Sequence, residues 1–169
     1  MELVSHLSPE EAFKRVKDAF KRMADETAVS FKNAGWTPSG DVMVEFGAKR
    51  EKAFFKARFG ARVSPEGKLR AFSDLGLKDV VEAQGPTDAE LSRCDAEDAT
   101  VATARSIDGL LDDVQSVFPR KAVYQAKSKQ WEIRVAVVRV GEKDLTHFGA
   151  RVNMAGQVTS LKKRKTAIL

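Results

Sequence analysis

Apolar positions along the chain change their period, and the changes mark out its elements. Ala12, Val16, Ala19, Phe20 and Met23 recur at three- and four-residue steps, while Lys14, Lys17, Asp18, Lys21 and Arg22 fill the other side. This is the pattern of an amphipathic helix with one buried face. Ser8-Pro9-Glu10-Glu11 provides its start: a side chain that can cap free N–H groups, a proline at the first helical position, and acids at the positive end. Asn33-Ala34-Gly35 and Pro38-Ser39-Gly40 are stop signals, so the helix is expected to run to about residue 32. From residue 42 the period becomes two. Val42, Val44, Phe46 and Ala48 alternate with Met43, Glu45, Gly47 and Lys49; then Ala53, Phe55, Ala57, Phe59, Ala61 and Val63 alternate with Phe54, Lys56, Arg58, Gly60 and Arg62. Two half-buried strands are expected, and the turn Ser64-Pro65-Glu66-Gly67 leads to a third over residues 68–73.

Helical spacing returns over residues 103–118 with Ile107, Leu110, Leu111, Val114 and Val117, and Pro119 is its stop. Residues 121–127 can add a strand. Residues 131–140 are dense in β-branched side chains, and the turn Gly141-Glu142-Lys143-Asp144 leads back into 145–153; Ala155-Gly156 then turns into 157–161. Between the two series, residues 75–98 carry short apolar groups, with short helices expected over 77–83 and 88–94. The acidic run Asp95-Ala96-Glu97-Asp98 reads as solvated connector.

The two series share text. Phe59-Gly60-Ala61-Arg62-Val63 returns as Phe148-Gly149-Ala150-Arg151-Val152, and the same offset of 89 lays Gly67 over Gly156 and residues 42–46 over 131–135. A repeat found this way is read before any other feature. The expected fold is α+β: two α-β-β-β repeats, each a helix packed on a curved antiparallel sheet, over residues 1–76 and 103–169, with 77–102 as a connector containing short helices. Phe59, Ala61, Val63 and their counterparts should face the helix, and Arg62 and Arg151 should face away. Glycines inside strands, as at Gly60 and Gly149, mark a bulge or the close approach of another backbone; strand curvature around the helix is the leading account and a ligand-approach site the other.

Composition narrows the class without naming a task. The 169 residues are 43% hydrophobic and 31% charged, ordinary for a folded domain, and the 29 basic against 24 acidic residues leave a net charge of +5. The lone Cys94 excludes an internal disulfide framework, residues 1–6 lack the features of a secretory leader, and no apolar run reaches the roughly 18 residues of a spanning helix. A soluble, cytoplasmic protein is the expectation. The mild positive charge suits nucleic acid, an anionic membrane surface or an acidic protein.

Cations gather on the outward side of the strands. Lys56, Arg58, Arg62 and Arg70, with Lys49 nearby and Phe54 and Phe72 interleaved, suit phosphate contact and base stacking; a solvated sheet face is the competing account. Arg151, Arg134 and His147 are what the second series keeps of this pattern. Lys162, Lys163, Arg164 and Lys165 can form a flexible anion-binding arm. The catalytic inventory is thin. His6, His147 and Cys94 lie far apart with no ligand spacing and no triad, and although Arg93 can lower the Cys94 thiol pKa, a lone cysteine without a nearby histidine is more often inert. Neither a cofactor nor a metal is implied, and no glycine-rich phosphate loop is present.

A helix followed by an antiparallel hairpin sheet, with Trp131-Glu132-Ile133-Arg134-Val135 and later Gly156-Gln157-Val158, resembles the PepSY and cystatin-like folds in tandem. Cystatin inhibitors carry a Gln-x-Val-x-Gly hairpin, of which Val137-Val138-Arg139-Val140-Gly141 keeps only the glycine, so the resemblance implies a fold and no functional residue. The leading functional expectation is a non-enzymatic interaction or assembly module, with a protein partner or self-association. The alternative is nucleic-acid binding through the basic sheet face and the C-terminal basic run. A third reading is an enzyme using a groove between the halves, with Glu45 or His147 as acid or base.

Overall fold

A reciprocal capping box opens the first helix: Ser8 Oγ accepts from the Glu11 N–H at 3.1 Å, and Glu11 Oε1 accepts from the Ser8 N–H at 3.3 Å. The helix, α1, spans Pro9–Met23. The computed structural model describes residues 7–24, 27–50, 55–81 and 85–164, with backbone alone at 50, 55–57 and 81. Ala24 is already extended, and Thr27–Trp36 form strand β1. The expectation of helix to residue 32 is therefore corrected. Helical spacing ends at Met23; beyond it Thr27, Val29 and Phe31 alternate with Ala28, Ser30 and Lys32, and pairing with the next strand outweighs local helix preference.

Four strands, rather than three, thus follow α1: β1, β2 Val42–Arg50, β3 Phe55–Val63 and β4 Leu69–Ser73. Helices α2 Lys78–Val81, α3 Asp88–Arg93 and α4 Ala96–Leu110 come next. Strands β5 Val114–Gln125, β6 Gln130–Arg139, β7 Thr146–Asn153 and β8 Val158–Arg164 complete the chain. All eight strands form one antiparallel sheet in sequence order, so the expectation of a separate sheet in each half gives way to a single continuous one.

The second long helix is also corrected. It begins at Ala96, where Asp95 caps it and Asp98 returns the bond, and it ends at Leu110. The residues expected to finish it, Val114 to Phe118, lie in β5 together with Pro119, the expected stop. Pro119 sits at a register shift of β5, where its missing N–H interrupts no regular ladder. The basic residues Lys162, Lys163 and Arg164 belong to β8 rather than to a loose tail, and Lys165 lies outside the described residues.

The offset of 89 holds in the pairing itself. Val42, Val44 and Phe46 pair with Val63, Ala61 and Phe59. Trp131, Ile133 and Val135 pair with Val152, Ala150 and Phe148 in the same register. On the other side, Gly60 pairs with Ser73 and Gly149 with Lys162, and both ladders shift register at equivalent places, Arg62/Val63 and Arg151/Val152.

Helices α1 and α4 cover one face of the sheet. Phe20 anchors α1 there, with its ring 5.2 Å from Phe46, 5.1 Å from Phe59 and 5.6 Å from Phe72, all fully buried. Each such ring contributes about 2–3 kcal/mol by leaving water. Phe72 is therefore core, not an outward stacking platform; the bulge in β4 turns both Leu69 and Phe72 inward. Phe54 lies outside the described residues. Trp131, fully buried, donates from Nε1 to the Cys94 carbonyl at 3.0 Å.

A seam and a clamp are prominent among the features that join the halves. The first is a narrow seam, in which β4 and β5 pair only at Phe72↔Ala122 and Ser73↔Lys121, and the Asp74 N–H reaches the Arg120 carbonyl at 2.8 Å. The second is a clamp between α1 and the start of α4. Arg15 donates to Gly67 O (2.6 Å), Glu97 Oε1 (2.5 Å) and Asp95 Oδ2 (3.0 Å), and Arg22 donates to Glu97 Oε2 (2.8 Å). The acidic run expected to be solvated is here enclosed: Asp95 and Glu97 are buried, and Asp95 also accepts from the Leu69 N–H at 3.0 Å. Burial raises the Asp95 pKa, while its backbone donors and Arg15 oppose the rise.

Candidate anion-binding face

The side of the sheet away from α1 and α4 differs sharply between the halves. In the first half the segment after β4 folds back across it. An atom in the Cβ position of Gly60 would lie 2.5 Å from Leu77 N and 2.6 Å from Gly76 C, so the backbone at 76–77 rests directly on the glycine. The close-approach reading of Gly60 is thus the observed one. Ser73 Oγ donates to Asp79 Oδ2 at 2.8 Å, and Lys121 Nζ lies 3.7 Å from the same oxygen, which fixes α2 in place. Ala71, on this outer side, and Val80 of α2 are both fully buried, although neither belongs to the main core.

Cations expected to be outward on this half are engaged by acids. Arg62 Nε donates to Asp41 Oδ2 at 2.6 Å and Arg62 Nη2 to Ser39 Oγ at 3.0 Å. Arg70 Nη1 donates to Pro86 O (2.6 Å), and Nη2 to Asp88 Oδ1 (3.0 Å) and Asp41 Oδ1 (3.2 Å). Its Nε lies 2.8 Å from Asp41 Oδ2, an ion pair whose angle is too poor for a hydrogen bond. With side chains only 14% and 12% exposed, Arg62 and Arg70 hold the Asp41 loop and the connector rather than facing solvent. Gly85 allows this, since a Cβ there would lie 2.5 Å from Arg70 Cγ. Arg58 is exposed, opposite Gly47; Lys56 pairs with Lys49, and its side chain lies outside the described residues.

Among the described residues, no connector crosses Gly149. The register lays out a grid of nine positions on the outer side of β6, β7 and β8: Glu132, Arg151 and Ser160 in one row, Arg134, Gly149 and Lys162 in the next, and Ala136, His147 and Arg164 in the third. Four cations thus surround a position with no side chain. Two strand spacings place Arg134 and Lys162 about 10 Å apart, a span that long side chains can close on one carboxylate or phosphate. A shallow cleft of about 240 Å³ lies here, lined by Glu132, Gly149, Arg151, Ser160, Lys162 and Arg164. Arg164 lies over Gly149, where a Cβ would sit 2.6 Å from its Nε. The only carboxylate in the grid is loosely engaged: Glu132 Oε1 is 3.6 Å from Arg134 Nη2, and Glu132 Oε2 accepts from Gln125 Nε2 at 2.9 Å. Arg134 Nε is buried with no hydrogen-bond partner.

The remaining titratable groups point to structural work. Burial first, then Asp98 and Asp95, push the Cys94 thiol up to about 12, so Arg93 does not activate it. Burial lowers the His147 pKa, and the Arg120 cation adds to the effect. Arg120 Nη1 lies 3.5 Å from His147 Nδ1, and Arg120 Nε donates to Asp74 Oδ2 at 2.6 Å. Tyr124 donates to Glu90 Oε2 at 2.9 Å; burial and then Glu90 raise the phenol to about 12. A cleft of about 410 Å³ opens where the end of α1, α4 and the start of β5 meet, lined in part by Arg22, Val101, Arg105, Asp108 and Val117. Glu45 and His147, both on the outer side, line neither cleft. Among the described residues, no group of three or more His, Cys, Asp or Glu side chains is placed to hold a metal ion, and no helix is long and apolar enough to cross a membrane.

Of these four cations, Arg151, Lys162 and Arg164 are binding candidates from the sequence, whereas Arg134 figures there only as part of what the second series keeps of the cationic pattern. The signal was its alternation with Ile133 and Val135, which puts it on the outward side beside Gly149. Asp41, the acid that engages Arg62 and Arg70, carried no such periodic signal. Comparison of the chain with family models, curated proteins and solved structures finds no match.

Proposed function

We propose that this chain is a non-enzymatic interaction module, built from a duplicated unit of one helix and four strands, which binds an acidic protein partner on the outer side of β6–β8. The grid of Arg134, Arg151, Lys162 and Arg164 around Gly149, which no connector among the described residues crosses, carries the reading. Matching register at an offset of 89 supports the duplication, and the tandem PepSY-like and cystatin-like resemblance is then one of element order. The halves have diverged in use: one glycine is covered by backbone of the chain itself, and the other by the Arg164 side chain. Clustered like charges on a folded surface repel one another, and an anionic partner relieves that repulsion.

Titration at low salt with polyglutamate and with single-stranded and duplex oligonucleotides tests the proposal. Polyglutamate should bind, weaken several-fold as NaCl rises from roughly 50 to 300 mM, and lose at least ten-fold in affinity in Arg151→Glu/Lys162→Glu. Binding to oligonucleotides alone would transfer the face to nucleic acid. No binding to any polyanion overturns the assignment.

A further inference from the structure

The first half displays how this sheet holds a strip of chain on its outer side. Gly60 acts as a saddle: with no side chain there, the backbone at Gly76–Leu77 settles onto the strand at a distance that any Cβ would prevent. Once across, the strip is fastened by an acid, since Asp79 accepts from Ser73 Oγ at 2.8 Å and lies 3.7 Å from Lys121 Nζ. Ser73 is the residue that pairs with Gly60 across the ladder.

The same construction stands open in the second half. Gly149 occupies the place of Gly60, and Lys162 pairs with Gly149 as Ser73 pairs with Gly60. Among the described residues, the nearest atoms over Gly149 belong to the end of a long side chain, Arg164, whereas backbone lies over Gly60. A hydroxyl that fastens an aspartate has become an ammonium, with Arg134 on the other flank. The substitution strengthens the attraction for a carboxylate at the fastening point.

We infer that an extended, acidic segment of a partner protein crosses β7 at Gly149, displacing Arg164 and placing a carboxylate between Lys162 and Arg134, as the chain's own residues 75–81 cross β3 at Gly60. This deepens the interaction-module reading and rests on it. A peptide backbone is favoured over nucleic acid because the saddle fits one strip of main chain and the grid offers no phenylalanine, tyrosine or tryptophan on which a base could stack, while its one imidazole, His147, is part-buried beside Arg120.

The probe is a peptide with the sequence of residues 73–81 carrying Lys78→Glu, added to the full ¹⁵N-labelled chain. A scrambled peptide of the same composition, polyglutamate and a single-stranded oligonucleotide are the comparisons. The ordered peptide should shift the amide signals of residues 147–151 and 160–164 and bind at least ten-fold more tightly than the scrambled one. Lys162→Glu and Gly149→Val should each weaken it ten-fold or more, and Arg58→Glu on the first half should leave it unchanged. Melting curves that match the parent chain exclude unfolding as the cause, and Gly149→Ala serves as a milder block. If the scrambled peptide or polyglutamate matches the ordered peptide, the saddle falls while the acidic-partner reading stands. If no acidic probe binds, or the oligonucleotide alone does, both fall.

Discussion

Gly60 and Gly149 sit in identical pentapeptides, yet substitution should affect them differently. Gly60→Ala drives a methyl into the backbone of residues 76–77, and overpacking of this kind costs about 1–3 kcal/mol. Gly149→Ala asks only that Arg164 swing aside, so its stability should stay within about 1 kcal/mol of the parent, helped by the better strand propensity of alanine. Denaturant titrations of the two variants measure the contrast, and equal losses would contradict the geometry. Cys94 gives a second residue-scale expectation. Buried, and with its thiol raised to about 12, it should resist alkylation at pH 8 until denaturant is added. His147 gives a third. Its pKa is lowered in the fold, so below the ordinary value of about 6.5 the unfolded chain takes up a proton that the folded chain does not. Stability should therefore decline as pH falls from about 6.5 toward the folded pKa, and His147→Gln should flatten that part of the curve.

Among elements, the joint between α1 and α4 should be the most sensitive to a single change. Arg15→Met would leave Asp95 buried without a cation and Glu97 with Arg22 alone, and breaking an enclosed ion pair costs about 3–5 kcal/mol. A loss below about 1 kcal/mol in urea would mean that the clamp is solvated. This joint was the least legible part of the sequence. Asp95-Ala96-Glu97-Asp98 has the composition of a solvated connector, and only its partners on α1, some eighty residues away, make it interior. Local pattern served well where one face is buried by near neighbours: α1 as far as Met23, β2, β3, β6 and β7 follow their periodicity. It failed at β1 and β5, where short helix-compatible spacings were carried past the true helix ends and the deciding interaction was pairing with the following strand. For the candidate face, alternation located the outward cations. What it could not supply was the acid opposite each one, so Arg62 and Arg70 resembled Arg151 until Asp41 was brought beside them.

At the scale of the molecule, one sheet and one clamp should make the halves unfold together. Each half carries one tryptophan: Trp36, 59% exposed on β1, and Trp131, fully buried on β6. Trp36→Phe leaves a blue-shifted emitter reporting the second half, and its denaturation midpoint should coincide with the whole-molecule transition seen by far-UV circular dichroism. Separated midpoints would show that the narrow β4–β5 seam does not couple the halves.

That seam also bears on how quickly the molecule assembles. Every strand pairs with its neighbour in sequence, and most pairs close over short turns, which favours rapid, local zippering. The pairing of β4 with β5 is different, because residues 74–113 must be looped out before Phe72 meets Ala122. The entropy of closing that loop precedes any reward from contacts across it. We expect each half to form its hairpins early and the seam to close late. Substitutions at Ala122 and Arg120 should then accelerate unfolding while leaving the refolding rate nearly unchanged.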